Sequence, residues 1–364
     1  MIASLLLQSG TLFCHAEGEP SLSAKSAVLI DADSGVVLYG HNARERMGMA
    51  STTKIMTALT VIRLTDTDRV VSIPAAAVGT EGSSVYLCAG EKLTVEQLLY
   101  ALLLSSANDA AVALAMICAG SIEAFAEHMN AYSRELGLVD TNFVNPHGLY
   151  DDNHYTTAYD LALISREALR VELLATIFAT YKKQIPFDGE ENKRLLVNHN
   201  KLLNTYDGAI GMKTGFTKKT GRCLVSAARR DGLTLIAVTL SAPDDWRDHG
   251  AMLDYGFEHY ERRIIADVGG FEYELPCSGG VSETVVLCNT ETLALTLRKS
   301  EGKAKYAVTS SHHFLIAPVK QGETYATVTV TCGSQTVSSP LAVDKSVGAK
   351  KPKTLWQKIV GVFS

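Results

Sequence analysis

A serine and a lysine stand three residues apart in Met49-Ala50-Ser51-Thr52-Thr53-Lys54-Ile55-Met56, at the start of an apolar helical pattern. On a helix, positions i and i+3 share one face, so the Ser51 hydroxyl and the Lys54 amine can meet. A serine hydroxyl becomes a strong nucleophile only when a neighbouring base takes its proton. An amine can be that base only if burial or nearby positive charge lowers its pKa. Ile55, Met56, Ala58, Leu59, Val61 and Ile62 supply apolar cover for such a lysine. The same spacing also arises by chance, as a helix N-cap followed by a solvated lysine, so the rest of the chain has to decide.

Two further segments carry groups suited to the same chemistry. Ser105-Ser106-Ala107-Asn108-Asp109 falls at the junction of two helical runs, where Ser106 offers a hydroxyl and Asn108 a carboxamide. Lys213-Thr214-Gly215 follows Gly211 and leads into a strand. Its lysine is a point charge for a carboxylate, its threonine a hydroxyl donor, and Gly215 lets a substrate backbone approach a sheet edge. Alone, the first is an ordinary helix N-cap and the second an exposed loop lysine. In the order Ser-x-x-Lys, Ser-x-Asn, Lys-Thr-Gly they are far more specific.

That ordered set resembles the superfamily of penicillin-binding proteins and class A β-lactamases. More closely, the chain resembles the low-molecular-mass penicillin-binding proteins that act as serine-type D-Ala-D-Ala carboxypeptidases, peptidase family S11. Ala50 to Ala58, Ser106-Ala107-Asn108-Asp109-Ala110, Asn145-Pro146-His147-Gly148-Leu149 and Gly211 to Thr217 carry the narrower resemblance. It implies that Ser51 is acylated by the carbonyl between two D-alanines, with Lys54 as proton acceptor and Ser106 as a shuttle to the leaving amine. Asn108 would hold Lys54 and the substrate amide, while Lys213 and Thr214 bind the terminal carboxylate and Gly215 keeps the edge open. The backbone amides of Ser51 and Phe216 would form the oxyanion hole. Arg247 falls near where relatives place a carboxylate-binding arginine, although within Asp244-Asp245-Trp246-Arg247-Asp248 it also suits a solvated ion pair. His147 reads as a structural loop residue. The implied partners are peptidoglycan stem peptides and β-lactam inhibitors, with no cofactor and no metal.

Local patterns indicate the elements that must position these groups. Ala27-Ile30 and Val36-Tyr39 flank Asp31-Ala32-Asp33-Ser34-Gly35 as a hairpin. Helical periodicity runs through Thr94-Leu104, with Thr94 and Gln97 as a capping box, then Asp109-Cys118, Ile122-Leu136 and about Thr157 to Leu174. Cys223-Ala228 and Leu233-Leu240 form strands around Asp231-Gly232, and Trp246-Tyr260 a last helix. Strands, then helices, then strands predict an α/β fold with an antiparallel sheet flanked by helices, β-lactamase/transpeptidase-like by the resemblance. Residues 24–262 form this expected catalytic domain. From 264 to 347 the short runs Val285-Leu287, Leu293-Leu297, Tyr306-Thr309 and Tyr325-Thr331 predict a small C-terminal all-β domain.

The ends differ from the body. Residues 1–16 read as a secretory signal without a basic start, ending at Ala16. Residues 350–364 place lysines before Leu355, Trp356, Ile359, Val362 and Phe363, the pattern of an amphipathic membrane-surface tail, or of a frayed terminus. The expected location is the extracytoplasmic face of the bacterial cell membrane. A net charge of −5 over 364 residues argues against nucleic-acid binding. The seven cysteines show no metal-ligand spacing; Cys277, Cys288 and Cys332 share the C-terminal region without revealing a pairing. Two other functions compete. A β-lactamase would need a water-activating Glu, yet Glu127-His128-Met129-Asn130 reads as helix surface. A non-catalytic peptidoglycan-binding protein would be expected to have lost one of the three motifs.

Overall fold

The computed structural model describes residues 18–187 and 192–351. The expected signal segment and the tail beyond Lys351 lie outside the described residues. The chain divides into two compact units, Met1–Arg230 with Thr234–Glu258, and Asp231–Leu233 with His259–Ser364.

In the first unit, β1 (Ser26–Asp31) and β2 (Val37–His41) form the expected hairpin. The Asp31 carboxylate accepts hydrogen bonds from the Ser34 amide (2.8 Å) and hydroxyl, which closes the turn. A 3-10 turn, Ala50–Thr53, leads into α1 (Lys54–Leu64), whose residues from Lys54 to Val61 are all buried. The short strands β3 (Val70–Ser72) and β4 (Lys92–Thr94) pair before α2 (Val95–Leu104). Thr94 and Gln97 cap α2 reciprocally, each amide donating to the other's side chain at 2.8 and 3.1 Å. Then come α3 (Asn108–Ala119) and α4 (Ile122–Glu135).

The periodicity from Thr157 to Leu174 predicts one helix, but there are two, α5 (Ala158–Arg170) and α6 (Glu172–Ala179). Val171 between them is extended (φ −87°, ψ 109°), and the bend lets Leu174, Ile177 and Phe178 reach the core. A hairpin of β5 (Lys182–Phe187) and β6 (Asn192–Val197) and a single turn, α7 (Leu202–Thr205), follow. The unit closes with β7 (Ala209–Thr217), β8 (Gly221–Arg230), β9 (Leu233–Leu240) and α8 (Asp245–His259).

Among the described residues these strands build a five-stranded sheet in the order β2-β1-β9-β8-β7. Every residue of β1 and β9 is buried, so both faces of the sheet centre are covered, which is why Leu233–Leu240 reads as a nearly unbroken apolar run. Val28 and Ile30 point into the main core with α1 and α2, while Leu29 and Leu235 on the opposite face meet Gly256 of α8. Each fully buried aliphatic side chain here contributes roughly 1.5–3 kcal/mol. The site therefore rests on α1, a helix that has no solvent face along its first two turns.

Among its described residues the second unit is all β. Strand β10 (Tyr260–Ala266) pairs with β13 (Leu293–Arg298), so the unit begins a few residues before the expected 262–264 break. A six-stranded sheet runs β14 (Lys305–Thr309), β16 (Thr324–Cys332), β17 (Gln335–Val343), β12 (Thr284–Asn289), β11 (Glu272–Ser278) and β15 (Leu315–Ile316). Leu275, Leu287, Leu295, Val328 and Leu341 fill its core. Among the described residues all six cysteines are free, and no single helix is long and apolar enough to cross a membrane.

Candidate active site

Ser51 lies in the 3-10 turn rather than on α1 itself. A 3-10 turn has three residues per turn, so side chains at i and i+3 eclipse and the serine stands directly over Lys54. The turn begins at Ala50, which has left-handed φ (+48°), a conformation that costs a residue with a Cβ on the order of 1–2 kcal/mol. Neighbours hold it there. Gly148, with φ +87°, presses so closely that a Cβ would land on the Ala50 carbonyl oxygen. A Cβ on Gly215 would come within 2.9 Å of the Ser51 amide nitrogen, so β7 runs hard against the nucleophile turn.

The Lys54 amine, fully buried, makes three hydrogen bonds: to Ser51 Oγ (2.8 Å), Asn108 Oδ1 (2.7 Å) and the His147 carbonyl (2.7 Å). These partners come from three separate segments. The His147 carbonyl is presented by a turn in which Asn145 Oδ1 accepts from the amides of His147 (3.2 Å) and Gly148 (2.7 Å). The Thr57 hydroxyl anchors the same loop by donating to the Pro146 carbonyl at 2.6 Å. Asn108 opens α3, and its Nδ2 donates to the Glu81 carbonyl (2.6 Å). Its neighbour Asp109, also buried, accepts from the Ser84 hydroxyl and from the amides of Val85 and Leu87, tying the 81–87 loop to the helix. Ser106 sits between α2 and α3 with φ +57° and lines the cleft beside Ser51.

The electrostatics favour a neutral amine. Burial, then the positive charge of Lys213, lowers the Lys54 pKa well below that of a free lysine, against a smaller opposing pull from Asp109. Burial also brings Lys213 down to about 7. A neutral amine has two N–H groups and one lone pair. In that form the Asn108 and His147 carbonyls could take both N–H groups, and the lone pair could accept from the Ser51 hydroxyl 2.8 Å away. Lys213 is almost fully buried and donates to the Thr214 carbonyl at 2.9 Å. His147 itself stays neutral, with a pKa lowered to about 3 by burial and by Lys54, so its contribution is its carbonyl rather than its ring.

A cleft of about 380 Å³ opens over these groups. Ser51, Ser83, Ser106, Thr214, Gly215 and Phe216 line it together with His199, Lys201, Arg222, Asp245 and Trp246. Arg247, expected in the substrate-binding set, is not among the lining residues. It is exposed on α8 and pairs with Asp244 (3.4 Å) and Asp248 (3.6 Å), because the helix turns position 247 away from the sheet and Asp245 and Trp246 toward it. Arg222 supplies the guanidinium on the cleft wall instead, fixed by Asp245 at 3.0 Å. The signal for it was the register of the β7–β8 hairpin, which sets Arg222 opposite Phe216. Sequence reasoning also missed the His147 carbonyl, a backbone group that carries no side-chain signature. Glu127, the one residue a lactamase reading could have recruited, is exposed on α4.

Comparison with known proteins agrees with this geometry. The family described as peptidase S11, D-alanyl-D-alanine carboxypeptidase, matches residues 14–244. The carboxypeptidase DacF of Bacillus subtilis is 32% identical over 337 residues, covering 89% of this chain and 86% of its own. DacA of Escherichia coli is 33% identical, covering 90% and 84%. Among solved structures, penicillin-binding protein 5 of Haemophilus influenzae superposes with a TM-score of 0.74 at 28% identity, over 90% of this chain and 98% of that one. PBP3 of Streptococcus pneumoniae, titled a peptidoglycan synthesis regulatory factor, gives 0.76 at 26% identity, over 90% and 100%. With the family matched across most of the first unit and relatives aligned along nearly the whole chain, this protein belongs to the S11 family of serine D-alanyl-D-alanine carboxypeptidases.

Proposed function

We propose that the enzyme removes the terminal D-alanine from peptidoglycan stem pentapeptides through an acyl-enzyme on Ser51. The observation that carries this reading is the Lys54 amine, buried and bonded at once to Ser51, Asn108 and the His147 carbonyl. Neutral Lys54 takes the Ser51 proton as Oγ attacks the carbonyl between the two D-alanines. The amides of Ser51 and Phe216 receive the oxyanion. Ser106, whose hydroxyl both donates and accepts, passes the proton to the leaving amine as the C–N bond breaks and Ser51 keeps the acyl group. Water then attacks the ester, Ser51 recovers its proton through Lys54, and a peptide one residue shorter leaves. Lys213 and Thr214 hold the substrate's terminal carboxylate, with Gly215 leaving room for its backbone. Arg222, rather than Arg247, adds a second cation on that side of the cleft.

Penicillins enter the same route, and their opened ring stays on Ser51. Peptidoglycan lies outside the cytoplasmic membrane, so the enzyme works at the extracytoplasmic face; residues 1–16 serve export and 350–364 rest on the membrane surface. Residues 24–262 carry catalysis, and the all-β region from 264 to 347 follows as a separate domain. The test is incubation with a muropeptide ending in D-Ala-D-Ala, followed by mass analysis, with and without penicillin. Loss of one D-alanine, blocked by penicillin and absent in Ser51→Ala, is the expected result. Rapid penicillin turnover would instead identify a β-lactamase, and no product at all a non-catalytic binding protein.

A further inference from the structure

The Ser51 turn is held from behind by residues that never reach the cleft. His154 is buried, with its ring edge-on to Phe143 at 5.8 Å. Its Nδ1 accepts the Val144 amide proton (3.1 Å), which fixes the tautomer: the remaining proton is on Nε2. Nε2 lies 2.7 Å from Thr53 Oγ1 and donates to it. The Thr53 hydroxyl in turn donates to the Ala50 carbonyl at 2.8 Å. Burial lowers the His154 pKa to about 4, so at pH 7 the ring is neutral and can accept on one side and donate on the other.

The end of this chain of hydrogen bonds is the residue with left-handed φ immediately before the nucleophile. That backbone is disfavoured for alanine, so it persists only where its surroundings determine it. The direction of the Ala50 carbonyl sets the 3-10 turn, and the turn sets where Ser51 Oγ stands relative to Lys54 Nζ.

We propose that His154 and Thr53 are positioning residues for the acylation step, the imidazole acting through the threonine hydroxyl on the Ala50 carbonyl to keep Ser51 aimed at Lys54. The proposal rests on Ser51 being the nucleophile. Neither His154 nor Thr53 lines the cleft, so their effect falls on the rate of bond formation and not on binding of the substrate.

Two amide variants separate this role from packing. In His154→Gln the side-chain nitrogen occupies the place of Nε2 and keeps the donor to Thr53. In His154→Asn the side-chain oxygen occupies the place of Nδ1, keeping the acceptor for Val144 but losing that donor. The measurement is the acylation rate constant and the initial non-covalent affinity for a chromogenic penicillin, alongside melting temperature. His154→Asn should acylate about 10–100-fold more slowly than the parent protein with unchanged initial affinity, the size expected of a small misplacement of a reacting group. His154→Gln, equally destabilised, should stay within about threefold of the parent. Thr53→Val should match His154→Asn, and combining the two should add little, since both cut one chain of bonds. Equal rates in the Gln and Asn variants, or losses that multiply in the Thr53→Val/His154→Asn protein, would overturn the relay. Acylation persisting in Ser51→Ala would overturn the nucleophile assignment instead.

Discussion

Replacing Asn108 by Asp places a carboxylate where a neutral amide oxygen now sits, 2.7 Å from the Lys54 amine. At an effective dielectric of about 20, an ion pair at that separation is worth about 6 kcal/mol. At about 1.36 kcal/mol per pKa unit that would raise the Lys54 pKa by roughly four. Desolvation of the new carboxylate and local relaxation offset part of it. The sign is definite, because an added negative charge stabilises the ammonium and removes the lone pair from Ser51. Acylation by a chromogenic penicillin at pH 7 should therefore fall, by about tenfold for each pH unit by which the Lys54 titration is carried past the assay pH, and should recover as the solution is made alkaline. Asn108→Ala is the companion measurement. It loses the hydrogen bonds to Lys54 and to the Glu81 carbonyl without adding charge, so it should slow acylation about tenfold with little alkaline displacement. Coincident pH profiles for the Asp and Ala variants would refute neutral Lys54 as the base.

Further outcomes follow from the same geometry. Gly148→Ala puts a Cβ onto the Ala50 carbonyl oxygen at a φ of +87° and should cost at least about 2 kcal/mol, a fall in melting temperature of several degrees with parallel loss of acylation. Arg222→Ala should raise KM for a D-Ala-D-Ala peptide several-fold while Arg247→Ala stays within about twofold, since only Arg222 lines the cleft; the reverse order would restore Arg247 to the site. Burial lowers His147 and His249 to about 3 and His154 to about 4, below the unfolded value of about 6.5. The unfolded chain then binds more protons than the folded protein, so stability is full above pH 6.5 and is lost as pH falls toward 4, by up to about 1.4 kcal/mol per pH unit for each histidine. Urea unfolding midpoints at pH 7, 5.5 and 4.5 check this, and a constant midpoint would contradict it.

The patterns that sequence carried well were local. The Asp31 turn, the Thr94–Gln97 cap and the Asp231-Gly232 hairpin each depend on residues within a few positions of one another, and each is present. The three motifs were visible as side chains, and the structure brings Ser51, Lys54 and Asn108 into direct contact. What escaped was whatever depends on tertiary context. The break at Val171 interrupts an intact helical period because α6 must bend into the core. Pro186 and the short apolar content of Lys182–Phe187 concealed the β5–β6 hairpin. Ser51 reads as the first turn of an α-helix, but it lies in a 3-10 turn against which Gly148 and Gly215 pack closely. Arg247 drew notice by its place in the chain, whereas Arg222 reaches the cleft only through the pairing of β7 with β8, a long-range register that side-chain motifs do not announce.

The central claim is that the Ser51 hydroxyl, served by Lys54, forms the covalent bond. Protein treated with penicillin, digested and mapped by mass spectrometry tests it most directly. One adduct per chain is expected, on the peptide bearing Ser51, absent in Ser51→Ala and formed far more slowly when Lys54 is replaced. An adduct on any other residue, or undiminished labelling of Ser51→Ala, would contradict it.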